Sequence, residues 1–178
     1  AMAGCGSYSK IEGFGFIPVT CFSQALTTFI GQNLGAKEYD RTKKGALFGT
    51  ICGIGIAEVI GIAVFFFSPY LIAAFGGDQK ATEYGIAEAH TIALFYCLLA
   101  FSHCMAAIQR GAGRSIVPMF VMMLVWCGVR VTYISIVIRI IPVINVIYWA
   151  YPLTWFISSV IFLILFLKTD WIHGLEKQ

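Results

Sequence analysis

The sequence is short of charge and of the side-chain pairings that chemistry needs. Asp, Glu, Lys and Arg make up only 12% of its 178 residues, about half their share in soluble globular domains. Nucleophiles with a base at workable spacing are lacking, as are paired acids and metal-ligand clusters, so a membrane enzyme is the least expected reading and no cofactor or metal is implied. The six cysteines are scattered, most lie inside apolar runs, and no C-x-x-C pair occurs. That pattern points to neither zinc nor a disulfide framework. Basic residues sit beside the apolar runs instead of forming a stripe, so nucleic acid is not expected as a partner.

What is present is hydrocarbon. Hydrophobic residues make up 59% of the chain and the mean hydropathy is +0.83. Predominantly apolar runs recur five times, at about 14–34, 45–67, 89–109, 115–138 and 145–167, each near the roughly 20 residues needed to cross a bilayer core of about 30 Å. Backbone polar groups facing lipid must pair within their own segment, and these runs lack the alternation of barrel strands, which leaves only helices. The fold class is therefore all-α, a polytopic membrane bundle with five transmembrane helices.

The basic residues are one-sided. Lys37, Arg41, Lys43, Lys44, Arg110, Arg114, Lys168 and Lys177 fall on one side of this arrangement, and Lys10, Lys80 and Arg139 on the other. The positive-inside rule makes the first side cytoplasmic, with the C-terminus on it, in a multi-pass protein of the cell membrane. Five spans then place the first residues outside. Residues 1–13 read as the end of a preceding transmembrane helix, and 14–178 as one transporter-like bundle belonging to a larger protein.

The first span ends toward Gly35, expected in the left-handed conformation that closes helices, before a solvated basic connection. Thr20, Gln24, Thr27, Thr28 and Gly31 recur at helical spacing and form a polar, small-residue stripe that must face protein or water. Gly49, Gly53 and Ala57 in the second span let another helix come close. Glu58 lies near the middle of that span, where a carboxylate costs several kcal/mol unless paired, protonated or hydrated. Ser68-Pro69 reads as a cap and first-turn proline opening a short interfacial helix stopped by Gly76-Gly77, and Asp78 to Glu88 as a solvated outer surface.

In the third span Tyr96, Ala100, His103, Ala107 and Arg110 share a face. In the fourth, Met119, Met123, Trp126, Arg130 and Tyr133 form an aromatic and thioether wall interrupted by one cation. Glu58 and Arg130 each sit on the order of 20 Å from the inner ends of their spans, so an intramembrane pair between them is expected. Tyr148, Trp149, Tyr151, Trp155 and Trp171 read as interface anchors of the last span. Ser158 and Ser159 are its deep polar groups.

Two loops carry a family resemblance. GQNLGAKEYDRTKKG, from Gly31, and IQRGAGRSIVPM, from Ile108 to Met119, resemble the paired inner loops of multidrug and toxic compound extrusion transporters. The resemblance makes the five spans the eighth to twelfth helices of a twelve-helix exporter. It implies antiport, with sodium or a proton moving inward as a small amphipathic or cationic compound leaves by alternating access between two six-helix bundles. The N-terminal bundle would then be a partner lying outside this chain and would bind most of the coupling ion. Gly31, Gln32, Asn33, Gly35, Arg41 and Gly111 are carried over as loop motif. The cavity wall is assigned to Gln24, Thr27, His103, Arg130 and Tyr133, and Glu58 is the coupling candidate, because residues 91–109 lack the carboxylate some members place there. The alternatives are export of a lipid-linked or polysaccharide substrate by the same superfamily, and a membrane scaffold that transports nothing.

Overall fold

The structure is a computed structural model that describes residues 2–74, 79–141 and 143–172, with side chains described from Gly6 onward. Its helices are α1 (Met2–Gly35), α2 (Tyr39–Ala74), α3 (Gln79–Ile92), α4 (Tyr96–Gly111), α5 (Ile116–Met122), α6 (Arg130–Ile140) and α7 (Asn145–Lys168). A 3-10 turn at Ala93–Phe95 joins α3 to α4, and a π-helical segment at Met123–Val129 joins α5 to α6. Among the described residues five stretches are long and apolar enough to cross a membrane: Gly6–Gly35, Tyr39–Ala74, Gln79–Gly111, Ile116–Ile140 and Asn145–Lys168. Among the described residues every regular element is helical.

The spans are longer than the apolar runs alone predict. α1 is unbroken from Met2 to Gly35, so residues 2–13 belong to the first span itself instead of ending a separate helix. α2 likewise passes through Pro69 to Ala74 and does not stop at Ser68. Proline removes one donor and orphans the carbonyl four residues earlier. Here that carbonyl is Phe65, and it accepts from Ser68 Oγ at 3.1 Å and from His90 Nε2 at 3.1 Å. With the orphan satisfied, the helix has no reason to end. Gly76-Gly77 and Asp78 lie outside the described residues. The expected solvated surface holds at Lys80 and Glu83, which are exposed, but not at Glu88, which is buried with Ala81 and Gly85 in α3.

The loops that follow α1 and α4 close by one device. α1 ends in a Schellman turn, with Lys37 N–H bonded to Leu34 O and Glu38 N–H to Asn33 O. The left-handed residue is Lys37 (φ 60°), not Gly35. α4 ends alike, with Gly113 (φ 79°) in that position and Arg114 N–H on Gln109 O. Pairing the last carbonyls this way turns the chain sharply without exposing them.

Helix association in lipid gains little from hydrophobicity and depends on close packing and hydrogen bonds. The small-residue face of α2 supplies the packing. A Cβ on Gly49 would stand 2.6 Å from Leu26 of α1, one on Gly53 2.6 Å from Cys104 of α4, one on Gly45 would run into the Phe29 ring, and one on Gly61 into the Ala93 carbonyl. α4 is the hub, packing on α1, α2 and α7, while α6 rests mainly on α7 and buries no residue of its own. The core forms two layers. One is built around Tyr8, Ile92, Tyr96 and Trp155, the other, toward the basic end, around Ile30, Cys104, Ile108 and Phe162.

Candidate functional site

Between the outer part of α1 and the α6–α7 pair lies a cavity of about 240 Å³ lined by Ser9, Glu12, Gly13, Phe16, Leu99, Trp126, Arg130, Tyr151 and Trp155. Helical periodicity assembles it. Residues 9, 12, 13 and 16 share one face of α1, and 151 and 155 one face of α7. Trp126 and Arg130 come from the π-helical segment and its C-terminal edge, where the Arg130 amide bonds back to the Val125 carbonyl five residues earlier. Such turns shift the phase of the helix and recur at functional sites.

Arg130 is the best-held group. Its Nη2 donates to Thr154 Oγ1 at 2.7 Å. Its guanidinium lies 4.2 Å from the Tyr151 ring centroid and 5.8 Å from that of Trp126. Nε is buried without a partner. A cation stacked on aromatic faces in a low-dielectric site gains about 2 kcal/mol or more, yet its charge still needs an opposite one. The half-buried Glu12 lines the same cavity from α1, within electrostatic reach of both Arg130 and the buried Glu88, though no ion pair joins it to Arg130.

Polar groups continue along the bundle above and below. Outward, Tyr8 and Tyr96 share a hydroxyl hydrogen bond of 3.1 Å. Inward, His103 makes edge-on contacts with Phe16 at 4.9 Å and Trp126 at 5.4 Å, and its Nε2 is buried without a partner. One residue before it on α4, Ser102 Oγ meets Ser158 Oγ and Ser159 Oγ, each at 2.9 Å, and Trp126 Nε1 donates to Ser158 Oγ at 3.4 Å.

The residues expected to line the cavity are thus divided. Arg130 is in the wall and His103 under its floor. Thr27 packs onto α4, donating to Ser23 O at 3.0 Å and to Ala107 O at 3.3 Å. Gln24 is exposed on α1. Tyr133 lines a separate apolar groove with Gly128, Ile136 and Leu153, and Met119 and Met123 are exposed, so the expected single wall does not form. The π-helical segment breaks its phase.

Glu58 and Arg130 do not meet. Equal depth is not equal azimuth: α2 packs on α1, α3 and α4, whereas α6 packs on α7. Glu58 instead lies beside the Cys97 thiol, with Oε2 buried and unpartnered. The acid that shares a cavity with Arg130 is Glu12, which sequence reasoning missed by assigning residues 1–13 to another helix. Tyr151 and Trp155 were hidden by the interface-anchor reading. Among those aromatics Trp149 is exposed, while Tyr148, Trp155 and Trp171 are buried. The signal that finds Glu12 is the one applied to Glu58, a carboxylate inside an apolar helix.

Of the loop-motif positions, Gly31 and Gly111 meet where α1 crosses α4. A Cβ on Gly111 would stand 2.7 Å from the Thr27 carbonyl and 2.7 Å from Ile30 Cβ, and one on Gly31 3.4 Å from the Gly111 carbonyl. Asn33 Nδ2 donates to Phe29 O at 2.7 Å, and Arg41 lies 6.0 Å from the Phe29 ring centroid. Gln32 O accepts the Ala36 amide at 3.0 Å, and Gly35 is the last residue of α1 with open space about it.

The chain is 27% identical over 126 residues to the probable multidrug resistance protein NorM of Thermotoga maritima, covering 67% of this chain and 27% of that protein. It therefore spans about a quarter of the length of the curated relative it matches. Its fold is that of the MATE transporter ClbM in a complex with Rb+, with a TM-score of 0.87 at 17% identity, covering 98% of this chain and 42% of the solved one. The MatE family model matches residues 1–141. With that match across most of its length, a five-span helical bundle and the paired inner loops in place, the chain belongs to the MatE family of membrane transporters.

Proposed function

We propose that this chain forms one lobe of a secondary active exporter, in which sodium or a proton moving inward drives amphipathic or cationic compounds out by alternating access. The observation that carries the reading is the cavity holding Glu12 opposite Arg130. A carboxylate within reach of a fixed cation has two states, one charged and balanced by Arg130, the other neutralised by a bound proton or sodium. Only a group with differential affinity for two conformations drives a transition between them, and Glu12 meets that need because α6, which begins at Arg130, is the least anchored part of the bundle. Phe16, Trp126, Tyr151 and Trp155 offer π faces that suit a flat cationic or amphipathic compound. The coupling cation thus has a group within this chain, besides any in the remaining lobe that would face it.

Glu12 also separates this reading from its rivals. With an acid beside Arg130 the cavity is not the strongly cationic wall that an anionic lipid-linked polysaccharide calls for. A pure scaffold has no use for an open cavity at this depth. The basic side, from Lys37 to Lys44 and at Arg110, Arg114 and Lys168, faces the cytoplasm in this proposal and brings the C-terminus with it.

The test uses the full reading frame expressed in efflux-deficient cells, with ethidium accumulation as readout. Glu12→Gln is expected to abolish export while the protein stays in the membrane at wild-type level, and collapsing the sodium and proton gradients in turn identifies the coupling ion. Wild-type export by Glu12→Gln overturns the assignment of Glu12, and export indifferent to both gradients overturns antiport.

A further inference from the structure

A second cavity, of about 470 Å³, opens at the basic end of the bundle between α2, α4 and α7, remote from Glu12 and Arg130. Its walls are Leu47, Phe101, Met105, Leu163 and Phe166, and Lys43 stands at its rim. The one hydroxyl in the lining, that of Thr50, is already spent on the Ala46 carbonyl at 2.8 Å. Trp171 closes the inner end, stacked on Phe166 with centroids 5.2 Å apart. From Lys43 to Thr50 the groove descends about 10 Å along α2 at 1.5 Å per residue, from the headgroup level into the hydrocarbon of one leaflet.

We infer that this groove is a binding site for one anionic phospholipid of the basic-side leaflet, with an acyl chain between α2, α4 and α7 and the headgroup phosphate on Lys43. The division of chemistry argues for that occupant: hydrocarbon walls whose one hydroxyl is already bonded, and one cation at the mouth. Among the described residues no carboxylate pairs with Lys43. A cationic exporter substrate is disfavoured by the same charge, and a zwitterionic lipid gains less from it, because its own ammonium group offsets the phosphate. Arg41 and Lys44 of the same turn line a neighbouring cavity with Glu38 and Asp40, so Lys43 is the cation the site depends on, worth about 1 kcal/mol near an anionic surface. Which leaflet this is rests on the cytoplasmic assignment of the basic end, but the binding itself does not rest on export.

The full-length protein, purified in detergent and exchanged against defined phosphatidylglycerol or phosphatidylcholine, would be read by native mass spectrometry for retained lipid. Wild type is expected to keep one phosphatidylglycerol in preference to phosphatidylcholine. Lys43→Ala should lower that preference about fivefold, the equivalent of about 1 kcal/mol. Leu163→Trp, which fills the groove, should reduce retention of both lipids. Equal retention of the two lipids by wild type overturns the proposal, as does preference unchanged in Lys43→Ala. So does a Leu47→Cys variant that crosslinks to another segment of the protein, because the groove is then covered by polypeptide. Ethidium export measured on the same variants separates the two readings: loss of lipid preference with export intact leaves the proposed transport function untouched.

Discussion

Gly111→Ala tests the crossing on which the bundle turns. A methyl at Gly111 would stand 2.7 Å from both the Thr27 carbonyl and Ile30 Cβ, and 2.9 Å from Ile30 Cγ2, where carbon contacts prefer about 3.5–4.0 Å. The Thr27 oxygen is backbone and has no rotamer to yield, so α1 and α4 must part by several tenths of an ångström. A gap of roughly 0.5–1 Å already forfeits a quarter to a half of each contact it opens, and overpacking of this kind costs about 1–3 kcal/mol. Replacing glycine in a helix gains back at most about 1 kcal/mol, and less at the last residue of α4. The net expectation is a loss of about 1–2 kcal/mol from the difference of these terms. Gly35→Ala is the matched control, since nothing lies within 4 Å of a Cβ there and its backbone is not left-handed. It should be neutral or stabilising by up to about 1 kcal/mol. The assay is the temperature at which half of the full-length protein is lost from the monodisperse peak in fluorescence-detected size exclusion. Gly111→Ala should fall several degrees below wild type and Gly35→Ala should not. Gly111→Ala at or above wild type refutes the close crossing.

Arg130→Lys keeps the charge but loses the planar stack on Tyr151 and the Thr154 bond. It should slow ethidium efflux about tenfold, since about 1.4 kcal/mol lies within what such contacts supply; efflux at the wild-type rate would show that charge alone matters. Glu58→Gln should export like wild type, because Glu58 lies on α2 beside Cys97 and not on the cavity; loss of export to the level of Glu12→Gln would return the coupling role to Glu58. Lys37→Gly relieves a left-handed non-glycine residue and should stabilise the inner loop by about 1 kcal/mol, seen as a rise in the same thermal assay. Lys37→Val should lower it.

Composition and periodicity were enough for the five spans, the helical class, the one-sided basic residues and the close-packing face of α2. These depend on local facts: an unpaired backbone group cannot sit in hydrocarbon, and small residues four apart share one side of a helix. The paired inner loops were legible for the same reason, although which residue turns left-handed was not, because Lys37 and Gly35 both stand near the end of α1 and the hydrogen-bond register chooses between them. What tertiary structure alone decided was which buried charges share a space. Depth along a helix can be counted from sequence, but azimuth between helices distant in the chain cannot, so Glu58 and Arg130 looked like partners and are not. Whether Pro69 ends a helix depended on His90 reaching the Phe65 carbonyl from α3. Whether Arg130 faces Tyr133 or Tyr151 depended on a π-helical segment that slips the phase by a residue. The Glu12 cavity is the product of both kinds of information, a carboxylate inside an apolar helix that the sequence displays and a cation across from it that only packing supplies.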